Sequence, residues 1–397
     1  MAYPFRSTAS IFAASAIVLA AACNSDEVKQ GPRPDAGEGI DGGGGVTAAP
    51  DGKPWQTLAE WHLFADAKKQ EPTNGVIPYE VNSALFADYA EKHRFLYVPK
   101  GEKIAYSDTD LWGFPEGTIL VKTFAFYADA RDPSKGERLI ETRLLIHEAD
   151  GWRPRTYVWN DDQTEATLKT GGADIDVEFT DGSGKSRTDT YSVPGEADCR
   201  TCHGKLGQTD TLGGRTRQLD RTHDYGDGPV NQIDHLKSLG LMDGDPAPAA
   251  DRVHLVDPFG TDGTLDERAR SYLDGNCAHC HQEGAGQGAQ SGLYLDYPST
   301  AAGAGPPARM GICKLPASAG GATCGYSLDI VPGRPDVSIY VCRMESTNPK
   351  FKMPSVGRNL VHDEGVQLIT DWIRALPGDC GQGPAPSPDA GSVGDGG

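Results

Sequence analysis

The sequence predicts an α+β protein, with an antiparallel, β-sandwich-like N-terminal domain followed by a mainly helical region. From residue 55 to about 193, apolar side chains mostly alternate with polar ones, which is the period of half-buried strands. Turn clusters such as residues 149–152 and 180–185 separate these segments at the spacing of a sandwich or barrel. After Gly195 the apolar residues recur every three or four positions, as in amphipathic helices.

The strand-rich part contains four segments in which β-branched and aromatic residues are frequent. These segments are residues 118–128, 138–148, 155–160 and 173–180. One helix, residues 81–92, is expected ahead of them. Trp112, Trp152 and Trp159 are expected to pack in the core or at its rim rather than to form a binding platform.

The second half contains three predicted helices. Residues 231–242 carry apolar side chains on one face, and residues 363–378 do so up to a Pro-Gly stop. Between them, residues 264–276 open with Thr264 and Glu267 three positions apart, which is the pattern of a capping box. That helix leads directly into the sequence NCAHCH.

The two ends of the chain read as export and tether segments. Residues 1–22 combine Arg6 with an apolar run too short to span a bilayer, and the run ends in small residues before Cys23. We therefore expect a lipoprotein signal peptide with Cys23 as the lipidated residue. Plain secretion with an unmodified cysteine is the alternative. Residues 23–54 and 381–397 have few large apolar residues and are expected to be a flexible tether and a disordered tail.

The expected location is the periplasm or the cell surface, as a lipoprotein. Asn24, rather than an aspartate, follows the cysteine, which favours the outer over the inner membrane. The net charge of -19 argues against nucleic acid and anionic membrane surfaces as partners, because Lys/Arg patches bind both. An acidic surface can steer a basic partner, and it also keeps exported proteins soluble.

Two C-x-x-C-H motifs carry the chemistry. They are Cys199, Cys202 and His203 in the first motif, and Cys277, Cys280 and His281 in the second. This is the attachment pattern of c-type haem. Two thiols three positions apart form thioethers with the two vinyl groups of the porphyrin, and the next residue supplies the proximal nitrogen. The sequence therefore predicts two covalently bound haem c groups.

Other uses of these motifs fit less well. A zinc site commonly needs two C-x-x-C pairs within one small module, whereas here the pairs lie far apart in the sequence. A thioredoxin-like motif would follow a strand in a βαβ unit, which is not the pattern here. His279, inside the second motif, is expected to be a bystander.

The distal ligands decide between an electron carrier and a catalyst. Met353 lies in a Met-Pro loop ahead of the last helix, and this order of elements is that of a class I cytochrome c domain. Methionine opposite histidine closes the sixth position of the iron and suits electron transfer. Met353 is thus the expected distal ligand of the second haem, with Met344 as the alternative. For the first haem four candidates stay open: His147, His223, His235 and Met242.

Four further cysteines remain in this exported chain, and an even remainder suggests two disulfides. They are Cys313, Cys324, Cys342 and Cys380. Three pairings are possible, and we expect Cys313 with Cys324 and Cys342 with Cys380.

With these motifs placed, residues 55–378 resemble a family of exported bacterial di-haem c-type cytochromes. The resemblance rests on segments that include ADCRTCHG, NCAHCH, DIVPGRPDVSIYVCRMES and RNLVHDEG. It implies Met353 as a distal ligand and, as a partner, an exported parallel β-helix protein. The part from residue 330 to about 373 is also similar to the cytochrome c-like ends of larger exported proteins.

The expected organisation is a β-rich domain over residues 55–197, a first haem segment over 198–262 and a cytochrome c-like domain over 263–380. The expected function is electron transfer between redox partner proteins. Two alternatives stay open. One is a haem peroxidase or dehydrogenase with an open sixth position on the first haem, and the other is a binding module whose haems sense redox state.

Overall fold

The protein has a mixed α+β fold, as the sequence predicts. The computed structural model describes residues 45–50, 53–205, 208–226, 228–285, 287–317 and 323–381. The expected signal peptide, Cys23, most of the tether and nearly all of the tail lie outside these ranges. No helix within these ranges has the length and apolar character needed to cross a membrane.

The strands of the described residues all lie between residues 64 and 243. They are β1 (Phe64–Asp66), β2 (Glu71–Pro72), β3 (Val76–Pro78), β4 (Glu91–Tyr97), β5 (Ile104–Ala105), β6 (Ile119–Tyr127), β7 (Glu137–Glu148), β8 (Gly151–Trp159), β9 (Ala166–Leu168), β10 (Ala173–Thr180), β11 (Ser186–Val193), β12 (Gly204–Lys205), β13 (Gln208–Thr209), β14 (Thr222–Asp224), β15 (Pro229–Asn231) and β16 (Met242–Asp243).

The α-helices all follow the main strands. They are α1 (Glu196–His203), α2 (Thr216–Leu219), α3 (Gln232–Ser238), α4 (Leu265–Asn276), α5 (Ile339–Glu345) and α6 (Asp363–Ala375). The predicted helices at 231–242, 264–276 and 363–378 correspond to α3, α4 and α6. The four predicted strands correspond to β6, β7, β8 and β10.

The centre of the fold is a six-stranded antiparallel sheet in the order β3-β4-β6-β7-β8-β9. One face buries a cluster that includes Trp61, Phe95 and Tyr157. Part of the opposite face is covered by the β10–β11 hairpin, where Phe126 packs with Phe179 and Tyr191. The strands therefore bury side chains on both faces of the sheet, which explains why their sequence pattern predicts a sandwich. Trp112 and Trp159 are buried, and Trp152 packs partly buried.

The predicted helix over residues 81–92 is wrong. Residues 81–90 form an irregular loop, and β4 begins at Glu91. Asp88 and Tyr89 have positive φ values of 51° and 66°, which no α-helix accommodates. The backbone N–H groups of this loop bind distant residues instead: that of Asn82 donates to the Gln218 carbonyl at 2.9 Å. Similarly, the N–H of Phe86 donates to Asn276 Oδ1 at 2.8 Å.

The expected disulfide pairing is also wrong. The bonds join Cys313 to Cys380 and Cys324 to Cys342. The reason is the path of the chain at Ile330. The Cys313 N–H donates to the Ile330 carbonyl at 2.9 Å, and the Cys380 sulfur lies 3.9 Å from that same oxygen. Cysteines distant in sequence therefore meet beside one residue.

The turn between β10 and β11 is fixed by one buried carboxylate, that of Asp181. Its Oδ1 accepts hydrogen bonds from the Ser183 and Lys185 N–H groups at 2.9 and 3.0 Å, and its Oδ2 accepts from Arg187 Nε at 2.6 Å. Arg187 also donates to Asp363 Oδ2 at 2.8 Å, which links the hairpin to the start of α6. Burial raises the pKa of Asp181, but the hydrogen bonds outweigh burial and lower it to about 2.

We expect Asp181→Asn to lower the free energy of unfolding by about 3 kcal/mol at pH 7, because it removes the fully buried carboxylate partner of Arg187 and leaves that guanidinium with the more exposed Asp363. The folded-state pKa of Asp181 lies below the ordinary value of about 3.9, so its stabilisation is complete above about pH 4 and is lost as the pH falls through 2. The difference between the two proteins, measured by urea unfolding, should therefore shrink from pH 4 to pH 2.

The control is Asp162→Asn, at an exposed aspartate elsewhere in the chain. It should leave the urea midpoint unchanged at both pH values. A midpoint for Asp181→Asn equal to that of the wild type at pH 7 would contradict the assigned role of the carboxylate.

Candidate functional site

The first motif occupies the last turn of α1. The helix is short, and the Asp198 carboxylate accepts a hydrogen bond from the Gly195 N–H at 3.0 Å at its start. Because Cys199, Cys202 and His203 are spaced by three and four residues, they lie on one side of this turn. Acidic residues in the first turn, including Glu196, favour the helix dipole.

The second motif follows α4 directly. Thr264 and Glu267 form the predicted capping box, with Glu267 N–H donating to Thr264 Oγ1 at 3.2 Å and Thr264 N–H donating to Glu267 Oε2 at 2.7 Å. The chain then turns at Cys277, whose carbonyl accepts from the Cys280 and His281 N–H groups at 3.2 and 3.0 Å. This turn brings the three motif residues to one end of the helix.

The fold brings the two motifs into contact. Thr201 and Cys280 are 79 residues apart in sequence, yet the Cys280 sulfur lies 3.7 Å from the Thr201 carbonyl oxygen. The ligand atoms of Cys202, His279 and Cys280 all lie within 4.8 Å of one another. A hydrogen bond from the Cys280 thiol lowers the pKa of Cys202. His279, expected to be a bystander, is thus part of the contact.

Both motif histidines have one ring nitrogen fixed. His203 Nδ1 lies 2.8 Å from the Asp210 carbonyl, which only accepts, so Nδ1 carries the proton. His281 Nδ1 lies 3.1 Å from Ser291 Oγ. That hydroxyl donates to the Gly288 carbonyl at 2.6 Å, so it accepts from His281. In both rings the lone pair is therefore on Nε2, the arrangement in which histidine binds metals.

Burial keeps these rings neutral. It lowers the pKa of both His203 and His281 to about 4, so neither imidazole is protonated at neutral pH. Burial also raises the pKa of Cys277 to about 12. The motifs thus offer two neutral nitrogen ligands and, at Cys277, a protonated thiol.

A cavity of about 800 Å³ lies beside the first motif, within the size range of small-molecule and cofactor sites. Its wall includes Cys199, Cys202 and His203, together with Ala278 and His279 next to the second motif. The hydroxyls of three buried lining residues have no hydrogen-bond partner among the described residues. They are Ser83, Thr156 and Thr211. Two thiols, a neutral imidazole and a wall that is apolar in part fit a covalently attached porphyrin.

None of the four distal candidates for the first haem lines this cavity. Met242 is 3% exposed and packs in the core near Ile104. His223 and His235 pack against Tyr225, with ring centroids 4.7 and 3.7 Å away. His147 stacks on Trp152 at 4.6 Å.

Met353 is half-buried in the loop between α5 and α6. Its N–H donates to the Arg343 carbonyl at 2.9 Å, and its carbonyl accepts from Arg358 Nη2 at 2.8 Å. Its neighbours Lys352 and Pro354 line the cavity, whereas Met353 does not. The alternative ligand, Met344, packs in the same apolar cluster as Cys277. Met353 as a distal ligand therefore stays a prediction.

Sequence reasoning missed the basic residues at the cavity wall. Lys122 and Arg143 lie in the middle of otherwise apolar strands, in the segments ILVKTFAF and RLIETRLLI. A cation inside a central strand is unusual, since Lys and Arg are rarely buried without a partner. A cation within an apolar strand is therefore the sequence feature that could have indicated these residues.

Comparison with family models, with curated proteins and with solved structures found no match to this chain.

We expect mild oxidation of the haem-free protein to join Cys202 to Cys280, because these two thiols are in contact whereas Cys199 and Cys277 are not part of that cluster. Peptide mapping by mass spectrometry should find this bond between the two motifs. The bond should be lost in Cys202→Ser, with Cys199→Ser as the control that retains it. Finding only bonds within each motif would show that the motifs do not meet as described.

Proposed function

We propose that this chain is an exported di-haem c-type cytochrome that transfers electrons. The observation that supports it best is the contact between the two C-x-x-C-H motifs, each with its histidine Nε2 free. A contact of this kind gives two redox centres a short path between them. If the two motifs had unrelated roles, nothing would require them to be in contact.

The residues that would hold the cofactors follow from the motifs. Cys199 and Cys202 would form the thioethers of the first haem c, with His203 as the proximal ligand. In the second motif the corresponding residues are Cys277, Cys280 and His281. Bound in this way, the haem iron supplies one-electron oxidation and reduction.

The protein's own part is to hold these ligands and exclude water. The Asp210 carbonyl and Ser291 Oγ orient the two imidazoles, and burial keeps both neutral. The adjacent sulfurs of Cys202 and Cys280 would bring the two attachment edges together. Electrons could then pass from one site to the other without a change of fold.

The cytochrome c-like character of residues 263–380 belongs to this proposal. Helices α4 and α6 pack through a cluster that includes Tyr272, Trp372 and Cys277. Trp372 Nε1 donates to Asp266 Oδ1 at 2.9 Å, which fixes the start of α4 against α6. A motif helix crossed by a closing helix is consistent with a haem domain of this type, with Met353 as the distal ligand.

The proposal also includes a cellular location and a class of partner. The predicted export signal, the predicted lipidation of Cys23 and the two disulfides support a periplasmic or cell-surface lipoprotein. Redox partners would be proteins, and the net charge of -19 would favour basic ones. An exported parallel β-helix protein is the partner that the family resemblance suggests.

One observation favours a second candidate, a haem enzyme of the peroxidase or dehydrogenase class. The 800 Å³ cavity lies beside His203, and none of the four candidate distal ligands reaches it. An open sixth position with adjacent space would admit a small substrate. A third use of the same atoms, a metal site at Cys202, His279 and Cys280, provides only three of the four ligands of a structural zinc site.

We expect the full chain, expressed with a c-type maturation system, to carry two covalent haems by intact mass and pyridine haemochrome spectroscopy. The double variant Cys199→Ala/Cys202→Ala should carry one, and so should Cys277→Ala/Cys280→Ala. The pair Cys324→Ala/Cys342→Ala is the control and should keep both haems. Stoichiometric zinc with no covalent haem would overturn the cytochrome proposal in favour of the metal site.

Replacing Met353 with Ala should abolish the methionine-to-iron charge-transfer band of the oxidised protein and open one haem to cyanide and carbon monoxide, because the sixth position loses its thioether. Met344→Ala is the matched control and should retain the band. If the band persists without Met353 and disappears without Met344, the ligand is Met344. Rapid peroxide turnover by the wild type would favour the enzyme over the carrier.

A further inference from the structure

A row of basic side chains crosses the central sheet beneath the first motif. Arg94 on β4 pairs directly with Lys122 on β6, and Lys122 pairs directly with Arg143 on β7. The next residue in the row, Thr156 on β8, pairs with Arg143. All four line the 800 Å³ cavity together with Cys199, Cys202 and His203. We call these four residues the basic row.

Like charges directly opposite each other on neighbouring strands destabilise a sheet, since the strands are only about 4.8 Å apart. Two of the three cations have an acidic neighbour. Arg94 lies 3.2 Å from Glu80 Oε2, and Arg143 donates from Nε to the buried Glu141 at 2.8 Å. The row therefore contains one positive charge in excess.

That excess charge is on Lys122, in the middle of the row. Among the described residues, its ammonium group has no hydrogen bond or ion pair, and it lies 5.7 Å from the centre of the Phe124 ring. Thr156, at the end of the row, is 1% exposed, and its hydroxyl also lacks a partner. Two unpartnered donors, on β6 and β8, therefore line the cavity on either side of Arg143, and they form a built site without an acceptor.

We propose that the basic row is an anion-binding site that takes a carboxylate or similar oxyanion next to the first haem. Two sources of that chemistry exist. One is the pair of propionates on a haem attached through Cys199 and Cys202, and this source rests on the function proposed above. The other is a diffusible anion that enters the cavity as a substrate or effector.

The surrounding charges support this site. Burial, followed by the charges of Arg94 and Arg143, lowers the pKa of Lys122 to about 7, so an anion bound beside it would favour the charged ammonium form. The arginine guanidinium is suited to carboxylate recognition, and an ion held in a cavity is less screened than one at the surface. The net charge of the chain is -19, so its overall composition does not account for a row of three cations.

Lys122→Met tests the site, since it keeps the apolar stem and removes the charge. Lys122→Arg is the conservative variant that should restore binding, and Lys103→Met is the control at an exposed lysine. The first measurement is the resonance Raman spectrum of the haem-loaded full chain, in which the propionate bending bands report contacts of the carboxylates. The second is calorimetric titration with acetate and with inorganic phosphate.

If the propionates occupy the row, their bands should shift in Lys122→Met and return in Lys122→Arg. In Lys122→Met the reduction potential of that haem should then fall by about 59 mV, because loss of a nearby positive charge favours the oxidised form. For a one-electron couple this is about a tenfold change in the equilibrium constant. If a diffusible anion occupies it, acetate or phosphate should bind the wild type and bind Lys122→Met at least tenfold more weakly. Two covalent haems with no response in either measurement would overturn the anion site and leave the cytochrome proposal intact. A chain without haem would refute the cytochrome proposal, and the titration would still test the row.

Discussion

The geometry of the site depends on a buried polar network around Asn276, the residue just before the second motif. The Asn276 side chain is 2% exposed; it accepts from the Phe86 N–H and donates to the Ala84 carbonyl at 3.2 Å. Two residues earlier, Asp274 accepts from Arg217 at 3.0 Å and from the Tyr297 N–H at 2.8 Å. These side chains are largely buried, so each is stabilised by a partner within the fold.

This network fixes three segments that are far apart in sequence. The irregular loop at residues 82–86 is held on one side by Gln218, whose side-chain oxygen accepts from the Ser83 N–H at 3.0 Å, and on the other by Asn276. The end of α4, and with it Cys277, is therefore positioned relative to α2 and the sheet. The second motif follows this frame directly, so its position depends on buried hydrogen bonds as well as on its own sequence.

Regular elements were predictable because their signals are local. The period-two segments gave β6, β7 and β10, and the Thr264–Glu267 pattern marked the start of α4 correctly, since a capping box is formed within four residues. The loop at 82–90 was not predictable, because its partners Gln218 and Asn276 lie more than a hundred residues away. The disulfide pairing failed for the same reason.

The same distinction applies to the candidate site. The cysteines and histidines of each motif are recognisable from five residues, whereas the contact of Cys280 with Thr201 depends on the whole fold. The basic row is an intermediate case. Lys122 and Arg143 are visible as cations in apolar strands, but only the strand register places them side by side. Non-local register is what a single sequence specifies least directly.

The function turns on the difference between the two histidine environments. The His281 carbonyl accepts a hydrogen bond from the N–H of the fully buried Leu295 at 2.8 Å, and the segment that follows packs in the apolar cluster of α4 and α6. His203 instead lines a large cavity whose wall includes the basic row. A site beside an apolar core suits transfer of an electron, because apolar surroundings limit the access of water. A site that opens onto unpartnered donors suits exchange with a charged group. One chain with both environments would therefore have an asymmetric pair of haems, with the second as the carrier and the first as the place where a bound anion can adjust the potential.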